Sequence, residues 1–225
     1  MSSVDIKLDH ERQARIGLDE AVLCSHKNTV QLETILAGVI ENSARIMLTR
    51  LSSSQFESLD KKYQGIIDYD SISATGVVGA ARDIEGASEV VVVTAGTSDV
   101  QVAMETVRTL SYYGLSSGKL FDVGVAGLWR LLDHIEMLRR CRVIIVVAGM
   151  DGSLPSVIGG LVSGLVIAVP SSTGYGVASG GDAALRSALA SCAPGVLVTN
   201  IDNGYGAACA ALRALGTASK TDMAT

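Results

Sequence analysis

From Glu89 onward the hydrophobic pattern changes period at regular intervals. EVVVVTA is short, β-branched and wholly apolar, the pattern of a strand covered on both faces. GTSD follows. In VQVAMETVRTLSYYG the apolar positions then recur at helical spacing, with Gly114 placed as a C-cap. The unit repeats as KLFDVGVAG with LWRLLDHIEMLRRC, and as RVIIVVAGMDG with SLPSVIGGLVSG. It repeats again as LVIAVPSSTGYG with GDAALRSALASC, and as GVLVTNIDNG with YGAACAALRALG. Five strands alternating with five helices predict a parallel sheet, helices on both faces and right-handed crossovers.

Residues 1–85 are less regular and are expected to form a smaller α/β region. AVLCSHKNTVQLETILAGVI and ARIMLTRLSSSQFESL each read as a strand followed by a helix, and GIIDYDSISATGVVGA as an extended hairpin. The short polar stretch DIEGAS sets the boundary near Arg82–Ser88, so that the second domain spans 86–225.

Composition narrows the functional classes. The chain has 225 residues, of which 48% are hydrophobic and only 4% aromatic, so the core is built from Val, Ile, Leu and Ala. The formal net charge is −5 and no Lys/Arg run occurs, which argues against nucleic acid and anionic membrane as partners. The opening MSSVDIKLDHERQARIG is too polar for a signal peptide, and the apolar runs are too short to span a bilayer. Cys24, Cys141, Cys192 and Cys209 show no CxxC spacing and are read as reduced thiols in a cytoplasmic protein.

In an open α/β sheet, ligands bind beyond the carboxyl ends of the strands. Here those segments are TAGTSD, DVGVAG, AGMDGS, VPSSTGYG and TNIDNGYG, all rich in Gly, Ser, Thr and Asp. Taken singly, Ser98, Asp99, Ser153, Asp202 and Asn203 are ordinary helix N-cap types. Together the five loops suit an anionic ligand such as a nucleotide. None matches a Rossmann or P-loop fingerprint, which argues against a conventional NAD or ATP domain. The histidines are His10, His26 and His134; none clusters at metal-ligand spacing, and no protein-held metal is expected. Cys192 precedes Ala193-Pro194-Gly195 at the end of a predicted helix. Its fate is open between a buried structural thiol and a reactive one, and no cationic neighbour in sequence would activate it.

Taken in order, VVTAGTSD, DVGVAGLWRL, RVIIVVAGMDGSLPSVIGGL, VIAVPSSTGYG and SCAPGVLVTNIDNGYGAA resemble the LarB family, whose catalytic domain is similar to the AIR carboxylase of purine synthesis (PurE-like). Asp9, Arg12, Arg15, Gly17 and Glu20 fit that family's D-x-x-R-x-x-R-x-G-x-x-E pattern, and Lys27 falls on a lysine of the family. The resemblance implies a three-layer, flavodoxin-like α/β sandwich. It also implies a reaction in which nicotinic acid adenine dinucleotide and CO₂ give pyridinium-3,5-biscarboxylic acid mononucleotide and AMP. Cys192 falls on the family's cysteine, which adds to the pyridine ring; the cationic ring would itself favour the thiolate. Asp151 falls where the family has a glutamate that handles the proton, and is shorter by one methylene. Trp129 stands where the family has histidine.

By the same resemblance, substrate is expected on Thr97, Ser98 and Asp99, on Gly124, Val125 and Ala126, and on Gly149 and Met150. It is also expected on Ser171, Thr173, Gly174 and Tyr175, and on Asp202, Asn203 and Gly204, with Asp202 and Asn203 closing the site near Cys192. No tightly bound cofactor is implied, although Mg²⁺ would assist at the phosphates. The partners implied are the nucleotide and further copies of the chain in a homo-octamer; close packing of Ala/Gly-rich helices such as YGAACAALRALG would allow the latter. Two other readings stand beside this one: a purine-pathway AIR carboxylase or N5-CAIR mutase, and a non-catalytic nucleotide-binding homologue.

Overall fold

The computed structural model describes residues 7–9, 11–80, 82–83 and 89–217; His10 and most of the polar stretch read as the boundary lie outside them. The chain divides into two compact units, residues 1–81 with the last residues from 215, and residues 82–214.

In the first unit, α1 (Arg12–Ile16) ends at Gly17, which adopts a left-handed conformation. Strand β1 (Ala21–Leu23) leads into α2 (Thr29–Glu41), which starts on a capping box between Asn28 and Gln31. Leu32, Ile35, Leu36 and Val39 form its buried stripe, spaced by one helical turn. Strand β2 (Ile46–Thr49) is buried along its length, and α3 (Ser53–Ser58) begins on a second capping box, Ser52 with Gln55. After α4 (Lys61–Gln64), β3 (Asp68–Asp70) and β4 (Thr75–Val78) form the expected hairpin. The sheet order is β1-β2-β4-β3; β1 and β2 are parallel and the other pairs antiparallel.

The second unit runs β5 (Val90–Thr94), α5 (Val100–Tyr112), β6 (Gly118–Leu120), α6 (Leu128–Leu132), α7 (Ile135–Leu138) and β7 (Val143–Ala148). It continues with α8 (Leu154–Gly159), β8 (Leu165–Pro170), α9 (Asp182–Leu189), β9 (Leu197–Val198) and α10 (Gly204–Leu215). All five strands are parallel, in the order β6-β5-β7-β8-β9. This is the flavodoxin-like order, and the α/β expectation holds. β5 and β7 are wholly buried, which is why they read as unbroken apolar runs.

Two elements differ from the sequence reading. LWRLLDHIEMLRRC is not one helix: it breaks at Asp133–His134, where His134 leaves helical geometry (φ −111°, ψ 8°) and starts α7. The strand expected in GVLVTN shrinks to two residues at the sheet edge, with Leu197 49% exposed. An edge strand has a partner on one side only, and here the flanking Pro194 and Thr199–Asn203 turn the chain away.

Candidate functional site

The strand order reverses between β5 and β7, and there the carboxyl ends of β5 to β8 open on a cavity of about 440 Å³. The position follows the general rule for open α/β sheets, and the size suits a small-molecule ligand. Its walls are Ala95, Gly96, Ser98 and Asp99 after β5, and Gly124, Val125 and Ala126 after β6. Ala148, Gly149, Met150, Asp151, Ser153 and Leu154 come from the end of β7 and the turn after it; Thr173, Gly174 and Tyr175 come from the loop after β8.

The walls are braced against one another. Asp99 is buried; its Oδ2 accepts from the Gly96 N–H at 2.9 Å and its Oδ1 from the Thr173 hydroxyl at 2.6 Å. This links the loop after β5 to the loop after β8, so both carboxylate oxygens already hold partners. Ser171 is fully buried and its hydroxyl lies 2.7 Å from that of Thr173, beneath the cavity rather than on its wall. The Met150 N–H donates to the Thr173 carbonyl at 3.2 Å. Gly149 is required at this crossing, because a Cβ there would stand 2.1 Å from the Thr173 oxygen.

Asp151 is exposed on the cavity rim. It lies between two left-handed residues, Met150 (φ 54°) and Gly152 (φ 61°), in a turn closed by Gly152 N–H to Gly149 O at 2.9 Å. The Ser153 N–H donates to Asp151 Oδ1 over a long 3.4 Å. Ser153 is a site residue that the sequence reading treated only as a helix cap. Its hydroxyl oxygen is buried and has no hydrogen-bond partner, an arrangement that costs about 1–3 kcal/mol. A signal lay two residues on: Pro155 lacks the N–H that a capping serine would bond.

The remaining expected residues fall around the cavity rather than on it. Thr97 is exposed in the 3₁₀ turn Thr97–Asp99. Asp202 (φ 55°) donates its N–H to the Pro170 carbonyl and accepts from the Ser172 N–H, each at 2.8 Å, and so latches the loop after β8. Asn203 accepts from the Gly206 N–H at 2.8 Å. Gly204 packs on α5, where a Cβ would stand 2.4 Å from the Val102 oxygen. Behind it, burial and the neighbouring Cys209 and Tyr113 push the Tyr205 hydroxyl pKa up. Trp129 is 66% exposed on α6. Lys27 belongs to the first unit, in the turn after β1, where its carbonyl accepts from Gln55 Nε2 at 2.9 Å.

Cys192 lies elsewhere. Helices α8 and α9 run side by side away from the cavity: Gly152 abuts Ala184 at one end, Ser156 Oγ donates to Ser191 Oγ at 2.7 Å further along, and Gly159 abuts Ala193 at the other end. From Ala184 to Cys192 the chain descends roughly 10 Å at helical rise. Cys192 is exposed, past the end of α9 and before β9, at the amino rim of the sheet. Within one chain, then, Asp202 and Asn203 do not close over Cys192; they stand at opposite ends of β9. Among the described residues no group of three His, Cys, Asp or Glu converges as a metal site, and no helix is long and apolar enough to cross a membrane.

The second unit is thus an open parallel α/β fold with a cavity at its strand carboxyl ends. Residues 4–80 match the family described as LarB/PurE-like N-terminal domain, and residues 89–224 match AIR carboxylase. A protein of Methanocaldococcus jannaschii, uncharacterized protein MJ0165, is 34% identical over 209 residues, covering 90% of this chain and 80% of that one. Among solved structures, a Treponema denticola PurE2 variant is similar with TM-score 0.49 and 20% identity, over 58% of this chain and 81% of that one. Treponema denticola PurE is similar with TM-score 0.45 and 20% identity, over 58% and 82%. The chain belongs to the LarB family, with a catalytic domain of the AIR carboxylase type.

Proposed function

We propose that this protein carboxylates the pyridinium ring of nicotinic acid adenine dinucleotide and hydrolyses its phosphoanhydride, the first step of nickel-pincer nucleotide cofactor biosynthesis. The products are pyridinium-3,5-biscarboxylic acid mononucleotide and AMP. One observation carries the reading: a LarB-type N-terminal domain over 4–80 precedes the carboxylase-type domain over 89–224.

A pyridinium ring is electron-poor and does not attack CO₂. Addition of the Cys192 thiolate to a ring carbon would break aromaticity and leave an enamine, whose neighbouring carbon attacks CO₂. Loss of that carbon's proton to the Asp151 side of the cavity, and return of the C–S electron pair to sulfur, restore the ring. This divides one hard step into easier ones. Since Cys192 and Asp151 lie at opposite rims of one chain, the reading requires the thiol to come from a second copy. A homo-oligomer, expected as an octamer, is therefore part of the proposal. Mg²⁺ would assist at the phosphates.

The same separation favours a second reading, a nucleotide-binding homologue without turnover. The AIR carboxylase match keeps the purine-pathway reaction as a third, although among the described residues no histidine is on the cavity wall. Incubation with the dinucleotide and labelled bicarbonate separates them. Label retained in a mononucleotide with AMP release supports the first. Tight binding without turnover supports the second, and label accepted only by aminoimidazole ribotide the third.

A further inference from the structure

Among the described residues the cavity wall carries one aromatic side chain, Tyr175, and leaves it bare. Aromatics make up only 4% of this chain, and Tyr63, Tyr112 and Tyr113 are buried in the ordinary way. Tyr175 is 78% exposed although it lines a cavity, and Met150 on the same wall is 43% exposed. Both therefore stand at the mouth, not on the floor.

The loop tip that carries Tyr175 is built to present it. Gly174 crosses Ala178 so closely that a Cβ there would stand 2.5 Å from the Ala178 oxygen, and the Ala178 N–H donates to the Tyr175 carbonyl at 3.1 Å. Ala178 is buried, so the backbone of the tip is anchored from beneath, while Tyr175 itself is extended (φ −139°, ψ 166°). Polar groups at the base of the loop are already committed. The Ser171 and Thr173 hydroxyls pair with each other, Thr173 donates to Asp99, and the Ser172 N–H donates to Asp202. What the tip offers a ligand is chiefly the face of a ring, which suits another flat ring.

The dinucleotide has two such rings. Its pyridinium must stay clear for the entering thiol and CO₂ and for proton loss toward Asp151, so the ring free to lie on a tyrosine is the adenine. A cavity of about 440 Å³ is also toward the small end of the roughly 300–1,000 Å³ range of ligand pockets, which leaves one half of a dinucleotide at the mouth.

We propose that Tyr175 is a specificity-determining residue that stacks on the adenine and holds the departing nucleotide by the flatness of its base rather than by the identity of that base. This rests on the carboxylase reading above, which supplies the dinucleotide. Stacking is tolerant because every base has a π-face, whereas hydrogen bonds to a base edge discriminate. No bond is made or broken at the tyrosine.

The test uses the full chain with Tyr175→Ala and Tyr175→Phe, and calorimetry with the dinucleotide, AMP and nicotinic acid mononucleotide. Tyr175→Ala should weaken binding of the dinucleotide and of AMP by about 5- to 100-fold and leave the mononucleotide within about twofold of wild type. Tyr175→Phe, which keeps the ring face, should bind all three as wild type does. A dinucleotide with hypoxanthine in place of adenine should bind the wild type within about threefold of the parent. Thermal melting and light scattering should be unchanged in both variants, since the side chain is exposed. Wild-type affinity in Tyr175→Ala, equal weakening of the mononucleotide, an equal loss in Tyr175→Phe, or rejection of hypoxanthine would overturn the stacking role while leaving the carboxylase reading intact. So would a smaller oligomer in Tyr175→Ala, which would make the tip a contact between copies. Dinucleotide bound with the expected pattern but never carboxylated would overturn the carboxylase reading alone. A wild-type protein that binds no dinucleotide would overturn both.

Discussion

The two rims of the five-stranded sheet are built differently. At the carboxyl rim the loops are cross-braced by Asp99 to Thr173, Met150 to Thr173 and Asp202 to Ser172. At the amino rim the segment carrying Cys192 is held by the Ser156–Ser191 bond and by the Ala193 N–H donating to Ser191 Oγ, and it exposes Cys192, Pro194 and Gly195. Under the proposed function, the difference would suit two chemical jobs. Groups that meet developing charge work best when fixed in advance. A thiol that must add to a ring and then leave it needs access, which an exposed loop offers to a second copy.

The largest expected effect tests whether the rims act in trans. Cys192→Ala should lower carboxylation by on the order of 10⁴-fold, with dinucleotide binding retained. Asp151→Asn should also be nearly inactive. Co-expressed in equal amounts, the two inactive chains should recover about a quarter of wild-type activity: a site that draws its cavity and its thiol from different copies finds both intact in half of a half of random pairings. No recovery in mixed oligomers would mean that each site uses one chain, and the separation of rims would then count against the thiol mechanism itself.

A paired glycine comparison should give a smaller effect. Gly149→Ala puts a methyl group 2.1 Å from the Thr173 oxygen and forces two cavity loops apart. A loss of about 1–3 kcal/mol is expected, together with loss of nucleotide binding. Gly195→Ala, at the other rim, meets nothing within 4 Å and suffers only from its left-handed φ of 82°. Its cost should be about 1–2 kcal/mol, with binding unchanged. Thermal melting and calorimetry check both; equal effects on binding would show that the carboxyl rim has no special role in holding the ligand.

Much of this architecture is legible in the sequence because parallel strands buried on both faces must be continuously apolar. Val90–Thr94 and Val143–Ala148 could hardly read otherwise. The loops after β5 to β8 were legible as a site because chain direction puts every strand–helix turn on one edge. Cross-chain braces were not legible. Asp99 reads as a ligand contact, yet it is held by a hydroxyl 74 residues away. The break at His134 also left no mark, since the apolar spacing of LWRLLDHIEML runs through it unchanged. Cys192 is the instructive case: a residue that precedes a strand stands at the amino rim, and that much could be read from its position before Leu197. Its family role drew it to the other rim, where this chain alone does not put it.

The smallest effect sharpens the comparison through thiol reactivity. Cys24 is fully buried in the first unit, and burial pushes its pKa up to about 12. The reactive form is the thiolate, so at pH 8 this sulfur should resist iodoacetamide in the folded protein. Burial also raises the pKa of Cys141, which should react slowly. Cys192 is exposed and should be alkylated first, as mass spectrometry of the modified peptides would record. The informative measurement is the rate at Cys192 with and without dinucleotide, at concentrations that keep the oligomer together. If a second copy lays this loop over the cavity, dinucleotide should slow labelling several-fold, and dilution into free chains should abolish the protection. Equal rates in the assembled protein would place the thiol away from every nucleotide in the assembly, and the amino rim would then have no part in the reaction.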